Sequence, residues 1–547
     1  MTRTHQLTRR LFLTSVGGTL ALLSASAPGC GGANSAPSAP PRPRAGHLRE
    51  LDNGTSFDVC IVGSGFAGAV LGESLVRHGI RTVVLESGFD AGAPPLDPRL
   101  QPLEVFRSSG PLDYPVARTR FRGVGGTSWL WGGFCARLLP ADFEEGAFTP
   151  QDCPWPIHYR DLDPYYEHAE RSLSVSGGRE SKLHPPRKSS YPLEPRTDDS
   201  YLRAMFAKVG VHVSPQALST PAARVALTHL PGFQASRYGA LIQGGTVTRL
   251  LTDGHGRIVE AEVKDLDRNA RTIRALVYVV ACGGLESPRL LLLSRTSEFP
   301  NGIGNNHDVV GRYFMEHGSL NFTGQASIRL TRVLRDRAFN VSYHFYDEFK
   351  KRELGGMRLD MVIDAVLGSE VRGGEFRSIA GKLLTPELRI GAGLEMRPAS
   401  RNRVTLDPQV RDHFGNPAAN VYLSDSDADS MTREHARRVV RRLFSSLGAK
   451  GVTERPRGWA HHHIGTCRMG DNPQTSVVDR NLRVHGTSNL FVAGSSAFVT
   501  SGCSGPTLTL TALSLRLADH VRAQIKAGAF NEERVAPRRP LPAASNV

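Results

Sequence analysis

Cysteine is scarce in this chain, with seven in 547 residues, at Cys30, Cys60, Cys135, Cys153, Cys282, Cys467 and Cys503. No Cys-x-x-Cys pair occurs and no Cys and His stand at zinc-ligand spacing, so neither a zinc module nor a dithiol redox motif is encoded. Cys60 and Cys282 fall in apolar, strand-like runs and are expected as buried free thiols. One disulfide among the other cysteines fits the count, but no pairing follows from it. A nucleic-acid motif is also missing. The formal charge is +15 and the pI 9.8, yet Lys and Arg are dispersed. That pattern argues for a basic soluble surface, or for weak attraction to anionic lipid or an acidic redox partner, rather than for nucleic-acid binding. Outside the N-terminal region no apolar run approaches the ~20 residues of a membrane span.

What is present is a globular composition, 40% hydrophobic and 22% charged. The length allows two to four domains of ~100–200 residues. The 56 glycines and 35 prolines suit a loop-rich α/β enzyme better than a helical bundle.

Residues 1–30 read as an address. Thr8-Arg9-Arg10-Leu11-Phe12-Leu13 precedes an apolar, small-residue run to Ala27, the order of a signal peptide. The paired arginines resemble a twin-arginine signal, a route for folded proteins, and imply a periplasmic or otherwise extracytoplasmic enzyme. Two processing outcomes fit. Ala25-Ser26-Ala27 offers a small-x-small cleavage site, whereas Ala27-Pro28-Gly29-Cys30 is an imperfect lipobox that would anchor the protein by a lipid on Cys30. Residues 31–46, rich in Gly, Ala, Ser and Pro, read as a flexible linker.

The apolar run Phe57-Asp58-Val59-Cys60-Ile61-Val62 is a buried-strand pattern. Gly63-Ser64-Gly65-Phe66-Ala67-Gly68 follows at once, then a helical stretch from Ala69 to His78 and a second strand from Arg81 to Leu85, ending at Glu86. Each part has a physical task in a dinucleotide cradle. Gly63 permits the tight turn, Gly65 lets backbone approach a pyrophosphate, and Gly68 lets the helix pack on the strand. The helix N-terminus offers free N–H groups to the phosphates, and Glu86 stands where a carboxylate can accept from a ribose. The motif alone leaves NAD and FAD open. No second full fingerprint follows, which argues against a two-nucleotide reductase; Ala281-Cys282-Gly283-Gly284, after Val277 to Val280, reads as a further strand of the same sheet ending beside the cofactor.

A second glycine-rich stretch, Val124-Gly125-Gly126-Thr127-Ser128-Trp129-Leu130-Trp131-Gly132-Gly133, combines close backbone approach with flat indole surface. Towards the C-terminus stand His461-His462-His463-Ile464-Gly465-Thr466, then Asn489 to Ser496, then Gly505-Pro506-Thr507-Leu508 leading into an apolar helix. Three consecutive histidines do not converge on one ion, and no carboxylate cluster lies beside them, so no metal site is expected.

Taken with Trp155 to Tyr159, Gly283 to Arg289 and Gly311-Arg312-Tyr313-Phe314-Met315-Glu316-His317, this ordered set resembles the glucose-methanol-choline flavoprotein family from about Ser56 to His520. The nearest likeness is to its bacterial sugar and polyol dehydrogenase branch. The resemblance implies an α/β (α+β overall) fold: a Rossmann-like FAD-binding domain over 47–180, 235–320 and 455–530, an inserted sheet-based substrate domain over 181–234 and 321–454, and a tail over 531–547. It implies FAD held by Gly63, Ser64, Gly65, Phe66, Ala67, Gly68 and Glu86, with Gly125, Gly126 and Ser128 on the flavin side and Val247 at the adenine end. Ala281, Gly283, Gly494 and Ser495 would complete the cradle, and Pro506 and Thr507 would lie near the isoalloxazine.

The same resemblance makes His462 the general base for removing a hydroxyl proton while a hydride leaves the carbon of a sugar, polyol or related alcohol. Two departures stand out. The family commonly has His or Asn just before the final-motif proline, where this chain has Gly505; Ser504 or a water would have to substitute. Alternatively the chain carries out altered, lyase-like chemistry, or is a non-catalytic FAD-binding subunit. Where several members attach flavin through a His, this chain has Leu130, so non-covalent FAD is expected. A dehydrogenase is favoured over an oxidase, passing electrons to a quinone, a cytochrome or a small partner subunit.

Overall fold

Thr55–Val62 is buried along its whole length, which suits a strand covered on both faces. In the structure, a computed structural model, that strand is β1. The residues described are 46–90, 97–144, 152–178, 183–195, 200–219, 224–325, 339–367 and 384–530. The signal sequence, Cys30, the linker and the C-terminal tail lie outside them.

After β1 come helix α1 (Phe66–Val76) and strand β2 (Thr82–Leu85). Strands β3 (Gly239–Gln243), β4 (Thr246–Thr252), β5 (Ile258–Lys264) and β6 (Ala270–Val280) follow much later in the chain, and β6 runs into helix α2 (Gly283–Leu293). These strands form one sheet in the order β3-β2-β1-β6-β5-β4, with Gly46–His47 beyond β3 and Leu490–Val492 on the other side of β6. β3, β2, β1, β6 and Leu490–Val492 are parallel neighbours, while β4 and β5 add an antiparallel edge. The carboxyl ends of β1 and β6 are therefore side by side, the place where open α/β sheets bind ligands.

The second sheet is antiparallel. Its centre is β7 (Gly318–Gln325), β8 (Met357–Leu367) and β9 (Leu384–Leu394), with β9 in the middle. Residues alternate between its faces with period two. Leu320, Phe322, Leu359, Met361, Ile390 and Ala392 are buried against Ala436, Val440 and Phe444 of helix α3 (Asp427–Ser446). Each large apolar side chain so buried contributes about 1.5–3 kcal/mol. The start of α3 is fixed by Ser426, whose hydroxyl accepts from Asp429 N while Asp429 reaches back to Ser426 N. The other face of this sheet carries Ser319, Asn321, Arg358, Asp360, Gly391 and Gly393, and it looks towards the segment around Cys503.

The α/β class expected from the sequence is the class observed. Residues 403–411 pair with 417–422, which pair in turn with Phe106–Ser109, and Val404, Ala419 and Val421 join the core of the first sheet, as do Val225, Leu230 and Phe233. All six described cysteines are free.

Candidate active site

The glycines of the first loop differ in what they do. Gly63 has φ +100°, and a Cβ there would stand 2.7 Å from the Ala281 carbonyl oxygen. At Gly68 a Cβ would lie 2.0 Å from the Gly63 carbonyl oxygen, so only glycine lets α1 seat on β1. At Gly65 a Cβ would meet nothing within 4 Å. Space is thus kept free directly before the first turn of α1, whose N-terminus has no side-chain cap.

Glu86 follows β2 and is buried, its Oε2 accepting from Ser64 N (3.0 Å) and Ser64 Oγ (2.6 Å), its Oε1 from Gly88 N (2.9 Å). Gly125 N donates to Ser64 Oγ at 3.0 Å, and a Cβ on Gly126 would stand 3.2 Å from Gly65 Cα. The two glycine-rich segments therefore face each other. Phe66 packs edge-on against Trp131, with centroids 4.8 Å apart. Gly494, with φ +122°, brings a third backbone segment to Ala67 of α1. The buried hydroxyls of Ser128 and Ser496 have no hydrogen-bond partner among the described residues.

Val247 is the second residue of β4, beside a buried ion cluster that gave no local signal in the sequence. Glu286 pairs with Arg120 (3.0 Å), Arg122 (3.2 Å) and Arg289 (3.1 Å), and Arg289 also holds Asp412 at 2.6 Å. The three guanidinium groups keep the Glu286 carboxyl far below the usual range despite its burial. Such a cluster makes a stiff wall at the Val247 end of the cradle.

At the carboxyl end of β6, Gly283 takes φ +72°, and Gly284 packs on the His463 carbonyl. Ser495 Oγ donates to that carbonyl at 2.7 Å. Pro506 and Thr507 stand at the head of helix α4 (Thr507–Lys526). The third motif thus converges on the same loop cluster as the first two.

The histidine run is set by Glu316. Its Oε2 accepts from Tyr114 Oη (2.9 Å) and His461 N (2.8 Å), its Oε1 from His317 N (2.8 Å) and His462 N (3.0 Å). Burial nevertheless pushes the Glu316 carboxyl up to about 7. This clamp holds His461 at φ +63°, an unusual conformation for a residue with a Cβ. His463 Nε2 lies 3.0 Å from Thr119 Oγ1, whose own proton goes to Val116 O. The imidazole of His463 is therefore the donor, which fixes it as a structural contact.

His462 is arranged otherwise. Its Nδ1 lies 2.7 Å from His317 Nδ1, and His317 Nε2 lies 2.7 Å from the Gly502 carbonyl oxygen. A carbonyl only accepts, so His317 Nε2 carries hydrogen. The neutral His317 ring then accepts at Nδ1, and His462 must donate from its own Nδ1. The lone pair of His462 is left on Nε2. That edge faces Gly505, where a Cβ would be 3.6 Å from Cε1 and 3.7 Å from Nε2. Burial is the main reason His462 is held well below the ordinary histidine range, with His317 and Arg358 adding to it, so the ring is a neutral base at neutral pH. Ser504 turns its hydroxyl to Tyr343 Oη, 3.1 Å away.

Glu316 and His317 lie in a motif visible in the sequence, but nothing local tells which histidine of the distant run they face. Tyr114, Thr119 and Tyr343 left no sequence signal of a site.

A nucleotide cradle at the carboxyl ends of a parallel sheet, with a buried neutral imidazole beside it, is the arrangement of a dinucleotide-binding enzyme. The chain belongs to the GMC oxidoreductase family, whose N-terminal model matches residues 57–318 and whose C-terminal model matches residues 398–514. It is 28% identical to the fructose dehydrogenase large subunit of Gluconobacter japonicus, over 86% of this chain and 99% of that one. It is 29% identical to the 6'''-hydroxyparomomycin C oxidase of Streptomyces lividus, over 88% and 94%. The fold matches a formate oxidase from Aspergillus oryzae with a TM-score of 0.63 at 17% identity, covering 87% of this chain and 100% of that chain. FAD is the cofactor of this family. The residues here fit it, with the free space at Gly65, the unpartnered hydroxyls of Ser128 and Ser496, and Glu86 at the end of β2.

Proposed function

We propose that this protein is an FAD-dependent dehydrogenase acting on a CH–OH group of a sugar, polyol or related alcohol, with His462 as general base. The observation that carries the reading is the His462–His317–Gly502 chain, which leaves an unprotonated Nε2 beside Gly505. Bound FAD supplies the hydride acceptor. His462 Nε2 takes the hydroxyl proton, and Glu316 fixes the backbone that aims it. His317 holds the tautomer. Relatives named for fructose and for an aminoglycoside support a polyhydroxylated substrate.

Both dehydrogenases and oxidases occur among the relatives. A large-subunit relative favours a dehydrogenase that hands electrons to a partner subunit, a cytochrome or a quinone. The twin-arginine pattern at Arg9-Arg10 favours export to the periplasm. Gly505 supports the competing reading of altered, non-redox chemistry. An anaerobic absorbance scan with added sugars, polyols and other alcohols decides between them. Bleaching of the flavin by an alcohol in wild type, lost in His462→Ala, is the expected result; bound flavin that no alcohol reduces overturns the dehydrogenase reading.

A further inference from the structure

We propose that Arg358 and Asp360 form a recognition pair for two neighbouring hydroxyl groups of a neutral, polyhydroxylated substrate, away from the carbon that is oxidised. The inference rests on the reading of His462 as the base of this site. Both residues lie on β8, on the face turned away from α3. The ladder sets Arg358 opposite Gly393 and Asp360 opposite Gly391, so no β9 side chain covers either. A Cβ on Gly393 would stand 3.5 Å from the Cys503 carbonyl oxygen and 3.8 Å from Arg358 Nη2. The guanidinium therefore sits next to the segment that leads through Ser504 to Gly505. Tyr343, which bonds Ser504, is influenced by both members of the pair, and Arg358 helps keep His462 and His317 neutral.

Arg358 is only 9% exposed, yet among the described residues its Nε and Nη1 have no partner, and neither has Asp360 Oδ1. The one bond of the pair is Arg358 Nη2 to Asp360 Oδ2, at 2.8 Å. Buried charged donors that the protein leaves unmade are completed by ordered water or by a ligand, and a ligand rich in hydroxyls replaces such water directly. The pair thus presents two N–H donors and one carboxylate oxygen close together. Hydroxyl groups both donate and accept, and two adjacent ones match this set. A carboxylate on the substrate matches it poorly. It would compete with Asp360 for the same guanidinium and meet the Asp360 charge at short range.

The test measures binding of sorbitol, D-glucose, gluconate and 1-propanol to holoenzyme by calorimetry, for wild type, Arg358→Met, Arg358→Lys and Asp360→Asn. Flavin content and circular dichroism of each variant report folding. Sorbitol or glucose should bind wild type. Arg358→Met and Asp360→Asn should each weaken that binding by about tenfold or more, as a site built for hydroxyls loses its partners. The weak binding of 1-propanol should not move. Gluconate binding more tightly than sorbitol, no polyol binding to wild type, or polyol affinity within about twofold in Arg358→Met and Asp360→Asn overturns the pair. Binding is read without turnover. Arg358-dependent binding with no flavin reduction would sink the role of His462 and keep the pair, and reduction with no Arg358 dependence would do the reverse.

Discussion

His462 and His317 meet nitrogen to nitrogen, Nδ1 to Nδ1 at 2.7 Å, although 145 residues separate them in the chain. Because His317 Nε2 is committed to the Gly502 carbonyl, the bond has one direction, and it determines which nitrogen of His462 is basic. His317 is thus a positioning residue. His317→Leu should fold, since an apolar side chain replaces a buried neutral ring, but it frees the tautomer of His462. We expect kcat to fall about 100-fold with KM within about threefold. His317→Gln can accept from His462 and donate to Gly502, and it should recover most of the loss. Equal kcat in His317→Leu and wild type would remove the relay from the mechanism.

Burial holds His317 at about 4 and His463 at about 3, and His462 well below its ordinary value. Groups with depressed native values contribute stability that is complete above the unfolded value of ~6.5 and is lost as pH falls. Glu316, raised to about 7, has the opposite sign: its contribution is present below its ordinary value and is lost as pH rises through about 7. Three histidines outweigh one carboxyl, so thermal stability should fall from about pH 6.5 towards pH 4. In the same window kcat/KM should show no acid limb near pH 6.5, because His462 is still unprotonated there. A limb at about 6.5 would show that His462 has an ordinary environment in solution.

These relationships mark how far the sequence could be read. The cradle could be read because its parts, Gly63 to Gly68 and Glu86, lie close together in the chain; Gly63 and Gly68 each stand against backbone, while Gly65 is left open. His462 was legible only as a member of a motif. Its neighbour His317 arrives through the bridge of Met315 to Ile464, a tertiary contact with no local pattern. Arg358 and Asp360 did leave a trace. In Met357-Arg358-Leu359-Asp360-Met361 charged residues alternate with apolar ones, which places two charges on one face of a strand. That face is ordinarily solvated; here it is turned inward, and only the fold reveals it. Arg120 and Arg122 beside Glu286 were opaque for the same reason, since they lie 166 and 164 residues away from it in the chain.

Gly505 leaves a gap beside His462. A Cβ would fit at ordinary van der Waals distance, 3.6 Å from His462 Cε1, so Gly505→Ala should fold and retain flavin. Gly505→Asn brings an amide that donates and accepts to the Nε2 edge of His462. It should raise kcat for a small primary alcohol by about tenfold, a gain typical of one added hydrogen bond to the reacting oxygen. If kcat drops instead in both variants, the bare position serves to admit a bulky substrate, and rates with a small and a large alcohol would separate in proportion.

Two glycines of the cradle should fail differently when each is changed to alanine. At Gly68 the added methyl would lie 2.0 Å from the Gly63 carbonyl oxygen, so α1 must move off β1. The cost is about 3 kcal/mol or more, and it would appear as a lowered melting temperature even without FAD. At Gly65 nothing in the protein obstructs the methyl within 4 Å. Gly65→Ala should therefore fold as apoprotein with an unchanged melting temperature, and its defect should appear only on adding FAD, as affinity weakened by about tenfold or more where the pyrophosphate must approach the backbone. Melting and FAD titration of the two apoproteins side by side make the comparison. Wild-type FAD affinity in Gly65→Ala would mean that the phosphates pass elsewhere, and the assignment of the α1 N-terminus as their site would fall.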